Sequence, residues 1–376
     1  MQINKNSRLL SLDVMRGATV AAMTLVNNPG DWGHIYAPLE HSAWNGCTPT
    51  DLIFPFFLFM VGVSTVFAME GKKADPANHG KMILGALRRM AVLILISWGI
   101  QLFYHHTPTL WQSLVHLRFP GVLPRIALVF FICSVFYIKC SQKTRDWVLA
   151  GVLIGYYVVM TFIPVPDGTP ANLNPETNMG AWLDRLVFGT NHLWRESKTW
   201  DPEGLLSTLP AIGTGLMGIR VGTWLKRPDR EQSVKVTWLF VYGILAVVVA
   251  LVWDLFFPIN KSLWTSTFVL YTGGMATIAL AFTYWIIDMQ GHKKHVWILV
   301  VFGMNAITGY ILSGILQGII NFIPVTGTTA CVWFYRYVIA PHFTPYNASL
   351  VRAIIYLFLT WLPMLWLYKK KIYIKV

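Results

Sequence analysis

Charge is what this sequence has least of. Asp, Glu, Lys and Arg make up only 12% of its 376 residues, against 55% hydrophobic, and the mean hydropathy is +0.51. Water-soluble globular domains carry about twice that charged fraction, so a soluble enzyme or carrier is excluded. Cysteine is scarce too. The four present, Cys47, Cys133, Cys140 and Cys331, show no metal-ligand spacing, and free thiols are their expected state. No HExxH, Walker loop, GxGxxG or GxSxG segment occurs, which removes support for zinc proteases, nucleotide hydrolases and elbow-serine hydrolases. No convincing internal repeat appears, which disfavours inverted-repeat transporters. A cleavable signal peptide is not expected, because the first apolar run contains Asp13 and Arg16 and lacks a small-residue cleavage site.

Acidic residues are the scarcer sign, and the net charge is +13. In a soluble protein that excess would suggest nucleic acid. Here the Lys and Arg residues sit in short clusters between apolar runs, so no nucleic-acid partner is expected and a lipid bilayer is. Ten runs approach the roughly 20 residues that cross a hydrocarbon core: 9–27, 51–69, 88–105, 121–138, 146–164, 204–224, 236–257, 264–287, 296–319 and 349–368. Counting Lys and Arg in alternate connections gives 20 on the side of both termini and 6 on the other. Cytoplasmic loops carry the excess. The expectation is an all-α polytopic protein of about ten transmembrane helices, N-in and C-in, forming one domain over 1–376. Its long extracytoplasmic segments are 28–50, 165–203 and 320–348. They are rich in Trp, Tyr, Pro, Asn and Gly, which suits an interfacial belt and equally suits loops that grip a polar substrate. Residues 328–341 suggest a short interfacial helix rather than an eleventh span.

Ionisable residues inside spans are costly, and each becomes a functional candidate. Asp13 and Arg16 share a helix face and can pair; alternatively Arg16 faces an anionic ligand arriving from the cytoplasm. Arg125 stands just inside the fourth span, where snorkelling to the outer interface competes with a binding role. Asp51 follows Thr48-Pro49-Thr50 and fits a helix N-cap. Asn305, in FGMNAITGY, suits a bond between helices. His41 lies just before the second span with Trp44, Asn45 and Asp51 nearby, after Asn27 and Asn28 at the end of the first. A histidine there can take a proton from an attacking amine or hydroxyl, and an asparagine amide can cradle an oxyanion. His34, His105, His106 and His116 fall on the same side and compete for that role.

These residues also carry a resemblance. SLDVMRGATVAAMTLVNNPGDW and HSAWNGCTPTDLIFPFFLFMVGVS resemble the heparan-α-glucosaminide N-acetyltransferase family, including its bacterial relatives. LRFPGVLPRIAL, DPEGLLSTLPAIGTGLMGIRVG, FPINKSLWTSTFVLYTGG and FGMNAITGYILS extend the likeness along nearly the whole chain. The resemblance implies an acyltransferase that moves an acetyl group from cytosolic acetyl-CoA, its co-substrate, to a glucosamine amine on the far side, without metal. It places the family's catalytic histidine on His41 and its catalytic asparagine on Asn27. It leaves Arg16, Asp13, Trp44, Asn45, Asp51, Arg125 and Asn305 as candidates for binding substrate or coenzyme. The large lumenal N-terminal region of the animal enzymes has no counterpart in this sequence, and heparan recognition is not expected to carry over. A different amino sugar or glycan acceptor, a homodimer and a bacterial inner (cytoplasmic) membrane location are expected. His41 as general base and His41 as transient acyl carrier both stay open. So do an amino-sugar transporter without chemistry and an O-acetyltransferase of a surface glycan.

The loop charges predict opposite sides for Pro166 and Asp229. In a background without native cysteines, Pro166→Cys should react with an impermeant maleimide in intact spheroplasts, and Asp229→Cys only after lysis. Labelling of both from one side would end the ten-helix topology.

Overall fold

A computed structural model describes residues 9–104 and 109–374. Lys5, Arg8, His105, His106 and Lys375, which entered the sequence reading, lie outside the described residues. The chain is helical: α1 (Leu10–Val26), α2 (Ile53–Lys73), α3 (His79–Tyr104), α4 (Leu110–Val115), α5 (Val122–Lys139), α6 (Gln142–Phe162) and α7 (Met179–Phe188) come first. They are followed by α8 (Leu205–Leu225), α9 (Gln232–Asp254), α10 (Ser266–Thr283), α11 (Trp297–Met304), α12 (Ala306–Phe322), α13 (Ala330–Phe334) and α14 (Pro345–Lys369). One small hairpin pairs β1 (Pro324–Val325) with β2 (Thr328–Thr329) in antiparallel register. The packing divides into two compact units, one of residues 9–41, 48–54 and 278–374, the other of 42–47 and 55–277.

Among the described residues, eight helices are long and apolar enough to cross a membrane, and a ninth span is possible from a bent pair. Two expected spans differ from plain transmembrane helices. The first, α1, is helical over only 17 residues, short for an upright crossing of about 20. The expected 296–319 span is broken into α11 and α12, bent by 84°. The break falls at Asn305, whose backbone (φ −131, ψ 48) leaves the helical region. The long connections are not bare loops either: 165–203 contains α7, and 320–348 contains the hairpin and α13, which continues into a π turn over Tyr335–Ile339. All four cysteines are free thiols.

In the first unit α1 is the hub, packed by α11, α12, α14 and the π turn (Tyr284–Met289) that ends α10. Small residues permit the closest approach. A Cβ on Gly17 would lie 1.8 Å from the Leu299 carbonyl oxygen, and one on Gly303 would lie 1.9 Å from that of Asp13. Backbones that pass too closely to admit a Cβ gain dispersion contact that lipid cannot supply. Val14, Ile287 and Val300 fill the space beside this crossing, with Leu10, Leu299, Met304 and Tyr368 around them. The start of α1 lacks a side-chain cap of its own; Asp288 supplies one, accepting from the Ser11 N–H at 3.1 Å. Arg352 ties the other end to α14, donating to the Asn28 and Pro29 carbonyls at 2.8 Å each.

In the second unit α8 is the buried helix, packed by α5, α6, α7 and α9. Its apolar composition all round fits that position. By contrast α9 exposes Trp238, Tyr242, Leu245, Val249 and Val252. A continuous exposed apolar face of this kind belongs against lipid tails. Beyond the start of α8, Arg118 forks onto Asp201 with bonds of 2.7 and 2.6 Å and also reaches Glu203. Asp184, on α7, accepts the Leu205 N–H at 2.8 Å and so caps α8.

Burial pushes the Asp184 carboxyl up to about 6 despite that bond, with the Asp201 charge adding to the effect. A carboxyl raised above its unfolded value of 3.8 gives its full stabilisation below that value and loses it as pH rises through 6. The predicted cost of ionising it is on the order of 3 kcal/mol. The midpoint of thermal unfolding in detergent should therefore fall between pH 4 and 7, and Asp184→Asn should flatten that part of the slope. Parallel curves for the two proteins would contradict the assignment.

Candidate functional site

The segment before α2 builds the site. Thr48 and Asp51 form a capping box at the turn Pro49–Leu52, in which the Thr48 N–H donates to Asp51 Oδ2 at 3.0 Å. The Thr48 hydroxyl donates to the Glu40 carbonyl at 2.7 Å, and the Thr50 hydroxyl to the Pro38 carbonyl at 3.1 Å. These two bonds fold the chain back, so that residue 41 returns over the turn. His41 Nδ1 then meets Asp51 Oδ1 at 2.7 Å. The Asp51 side chain has no exposed surface, whereas that of His41 is 51% exposed.

That contrast defines what the pair can do. A buried carboxylate on Nδ1 selects the tautomer with its proton there, fixes the ring, and stabilises the imidazolium once it forms. With the proton on Nδ1, Nε2 is the ring nitrogen whose lone pair can take a proton. A second pair, His34 Nδ1 to Asp31 Oδ2 at 2.7 Å, lacks the same setting, since its side chains are 41% and 40% exposed. Solvent screens a pair of that kind. The Gly33 N–H and then His34 hold the Asp31 carboxyl below the usual range. His116 bonds the Gln112 carbonyl of its own helix turn.

The paired asparagines at the end of α1 separate cleanly. Asn28 is buried and spends its amide on the Thr24 carbonyl at 2.8 Å. Asn27 is exposed as the C-cap of α1, and its side chain makes no hydrogen bond among the described residues. Helix α1 packs against the turn that carries Asp51. Arg352 holds the backbone immediately after Asn27, through the Asn28 carbonyl. Sequence reading missed this arginine as a positioning residue; its one signal was a cation at the edge of an apolar span.

The remaining candidates are placed as follows. Arg16 donates to Asp13, which is buried. Asn305 does not join two transmembrane helices; it grips the chain after α14, donating to the Ile372 carbonyl and accepting from the Ile374 N–H, both at 2.9 Å. In the second unit the Trp44 indole donates to the Leu173 carbonyl at 3.0 Å and meets Trp200 edge-on. Asn45 accepts from Asn260 at 3.1 Å. Arg125 does not snorkel: it is 1% exposed, lies over the Trp264 ring at 5.1 Å, and donates to Ser207 and the Gly204 carbonyl. The aromatic face and two acceptors offset part of the cost of taking the cation out of water, while its Nε and Nη1 find no hydrogen-bond partner among the described residues.

The family model described as heparan-alpha-glucosaminide N-acetyltransferase, catalytic, matches residues 8–255. That is well over half of the chain. This protein belongs to that family. The match takes in every candidate above except Asn305. Heparan-alpha-glucosaminide N-acetyltransferase of Homo sapiens is 27% identical over 358 residues, covering 81% of this chain and 52% of the human protein. The protein of the same name from Mus musculus is 27% identical over 372 residues, covering 85% of this chain and 54% of its own length. The chain thus spans about half the length of the curated relatives it matches.

Proposed function

We propose that this protein transfers an acetyl group from acetyl-CoA to the amine of a glucosamine-type sugar, with His41 as the base and Asp51 as the group that orients it. The observation that carries the reading is the His41–Asp51 pair, a half-exposed imidazole backed by a carboxylate with no exposed surface. Family membership supplies the reaction class, and the charge distribution of the loops supports ten crossings with both termini in the cytoplasm. On this reading the whole chain acts as one multi-pass domain of a bacterial inner membrane, and acetyl-CoA enters from the basic face. The acceptor, an amino sugar or the end of a glycan, meets His41 on the opposite side. Arg125 and Asn305, whose side chains are spent inside the fold, act on this reading as positioning residues within their own units.

The chemistry balances with these residues. The sugar ammonium gives one proton to Nε2 of His41, and the freed amine attacks the thioester carbonyl. The new C–N bond forms and the C–S bond breaks. Of the two protons shed by nitrogen, one passes from the imidazolium to the departing thiolate and the other to solvent. The Asn27 amide donates to the oxyanion of the tetrahedral intermediate. Asp51 remains ionised throughout and stabilises the imidazolium.

The test is acetyl transfer by purified protein with acetyl-CoA and glucosamine. His41→Ala should lose about 10²–10⁴-fold in rate, and Asn27→Ala roughly 10²–10³-fold. Because both act on one transition state, the double variant should lose less than the product of the single losses. Asp51→Asn keeps the shape but offers the wrong tautomer, so it should fall by roughly the His41 amount. A folded His41→Ala protein that transfers acetyl at the wild-type rate removes the base from His41.

A further inference from the structure

The end of α14 shapes a cleft that the reading above does not use. Wholly within the first unit, an open cleft of about 380 Å³ lies between the start of α1, the α11 face and the chain that follows α14. Leu10 and Val300 give it an apolar wall, Tyr368 and Tyr373 give it aromatic sides, and two lysines, Lys369 and Lys371, also line it. Asp13 reaches the same space already engaged by Arg16.

The chain is folded back to make this cleft. Lys371 takes φ +55, the left-handed region that a non-glycine residue enters at a cost. The buried amide of Asn305 then grips the backbone on both sides of Tyr373, at Ile372 and Ile374, which sets the Tyr373 ring as a side of the cleft. Lysines at a helix C-terminus have a plain explanation in the helix dipole and the membrane interface. The left-handed residue belongs to an ordinary helix ending, with the Ile372 N–H on the Leu367 carbonyl and the Lys371 N–H on that of Tyr368; the buried asparagine that holds the tail over the cleft is what neither explanation requires.

From this arrangement we infer that the cleft binds a phosphate ester carried on an apolar or aromatic body. Ammonium groups recognise phosphate as point charges, and the tyrosines and the apolar wall take the attached body. The volume is at the lower end of the roughly 300–1,000 Å³ of ligand cavities, so one headgroup or one nucleotide-sized moiety fits. Two sources share this chemistry: the headgroup of an anionic phospholipid and the nucleotide end of the acyl coenzyme. Only the second rests on the acetyl-transfer reading.

The experiment uses the full chain purified in neutral detergent. Adenosine 3′,5′-bisphosphate is titrated calorimetrically, and in parallel the protein is placed in phosphatidylcholine nanodiscs with and without phosphatidylglycerol, with retained lipid read by native mass spectrometry. One of the two probes should bind at one per chain. Lys369→Gln with Lys371→Gln should weaken it about tenfold or more, while Lys293→Gln with Lys294→Gln, which removes two positive charges elsewhere, should leave it unchanged. Tyr373→Ala, at an exposed position, gives a second reading if the lysine pair fails to fold, and should also weaken binding. Nucleotide binding names the coenzyme and phosphatidylglycerol retention names the lipid. Binding of neither probe, or equal losses in both lysine pairs, overturns the site. Because binding is read without turnover, an inactive wild-type chain that still holds a probe counts against acetyl transfer and leaves the cleft standing.

Discussion

A carboxylate with no exposed surface, at the start of an apolar helix, has to be answered by donors, and the candidate site depends on how Asp51 is answered. The Thr48 N–H takes one oxygen and His41 takes the other. The first bond starts the helix and the second aims the imidazole, so one side chain couples folding of the turn to the orientation of the His41 ring. Thr48 and Thr50 reinforce the coupling by tying the turn to the carbonyls of Glu40 and Pro38, on either side of the returning chain.

The same economy of polar groups runs through the first unit. Helix α1 is short and carries an ion pair, and its stability comes from backbone contact with α11 and from groups on other helices. Asp288 caps its start, and Arg352 secures its end beside Asn27. Each of these is a charge that would be expensive in hydrocarbon alone, spent where a helix end has unsatisfied backbone groups. The unit is therefore held by its polar contacts at the ends and by glycine contact at the middle.

Much of this was legible in the sequence, and the limits have physical causes. Apolar runs mark spans because the bilayer sets their length, and eight of them are, among the described residues, single helices long and apolar enough to cross a membrane. The break at Asn305 was not legible, since asparagine inside an apolar run reads equally as a bond between helices, and the partner turned out to be the tail 67 residues on. Arg125 was read as a candidate for snorkelling because hydropathy sees its depth and not the Trp264 face that encloses it. His41, Asn27 and Asp51 were all singled out, yet Asp51 was read as a helix cap or a binding candidate and not as the partner of His41. Pairing it with His41 required the chain reversal that Thr48 and Thr50 make, which no periodicity reports.

The account joins a base on one side of a membrane to an acetyl donor on the other, and sided transfer tests that most directly. Proteoliposomes hold labelled acetyl-CoA in the compartment facing the termini and glucosamine in the opposite one. The account predicts labelled N-acetylglucosamine on the glucosamine side, abolished by His41→Ala. Unmodified glucosamine crossing the bilayer, with no labelled amide formed, would contradict it and leave a transporter in its place.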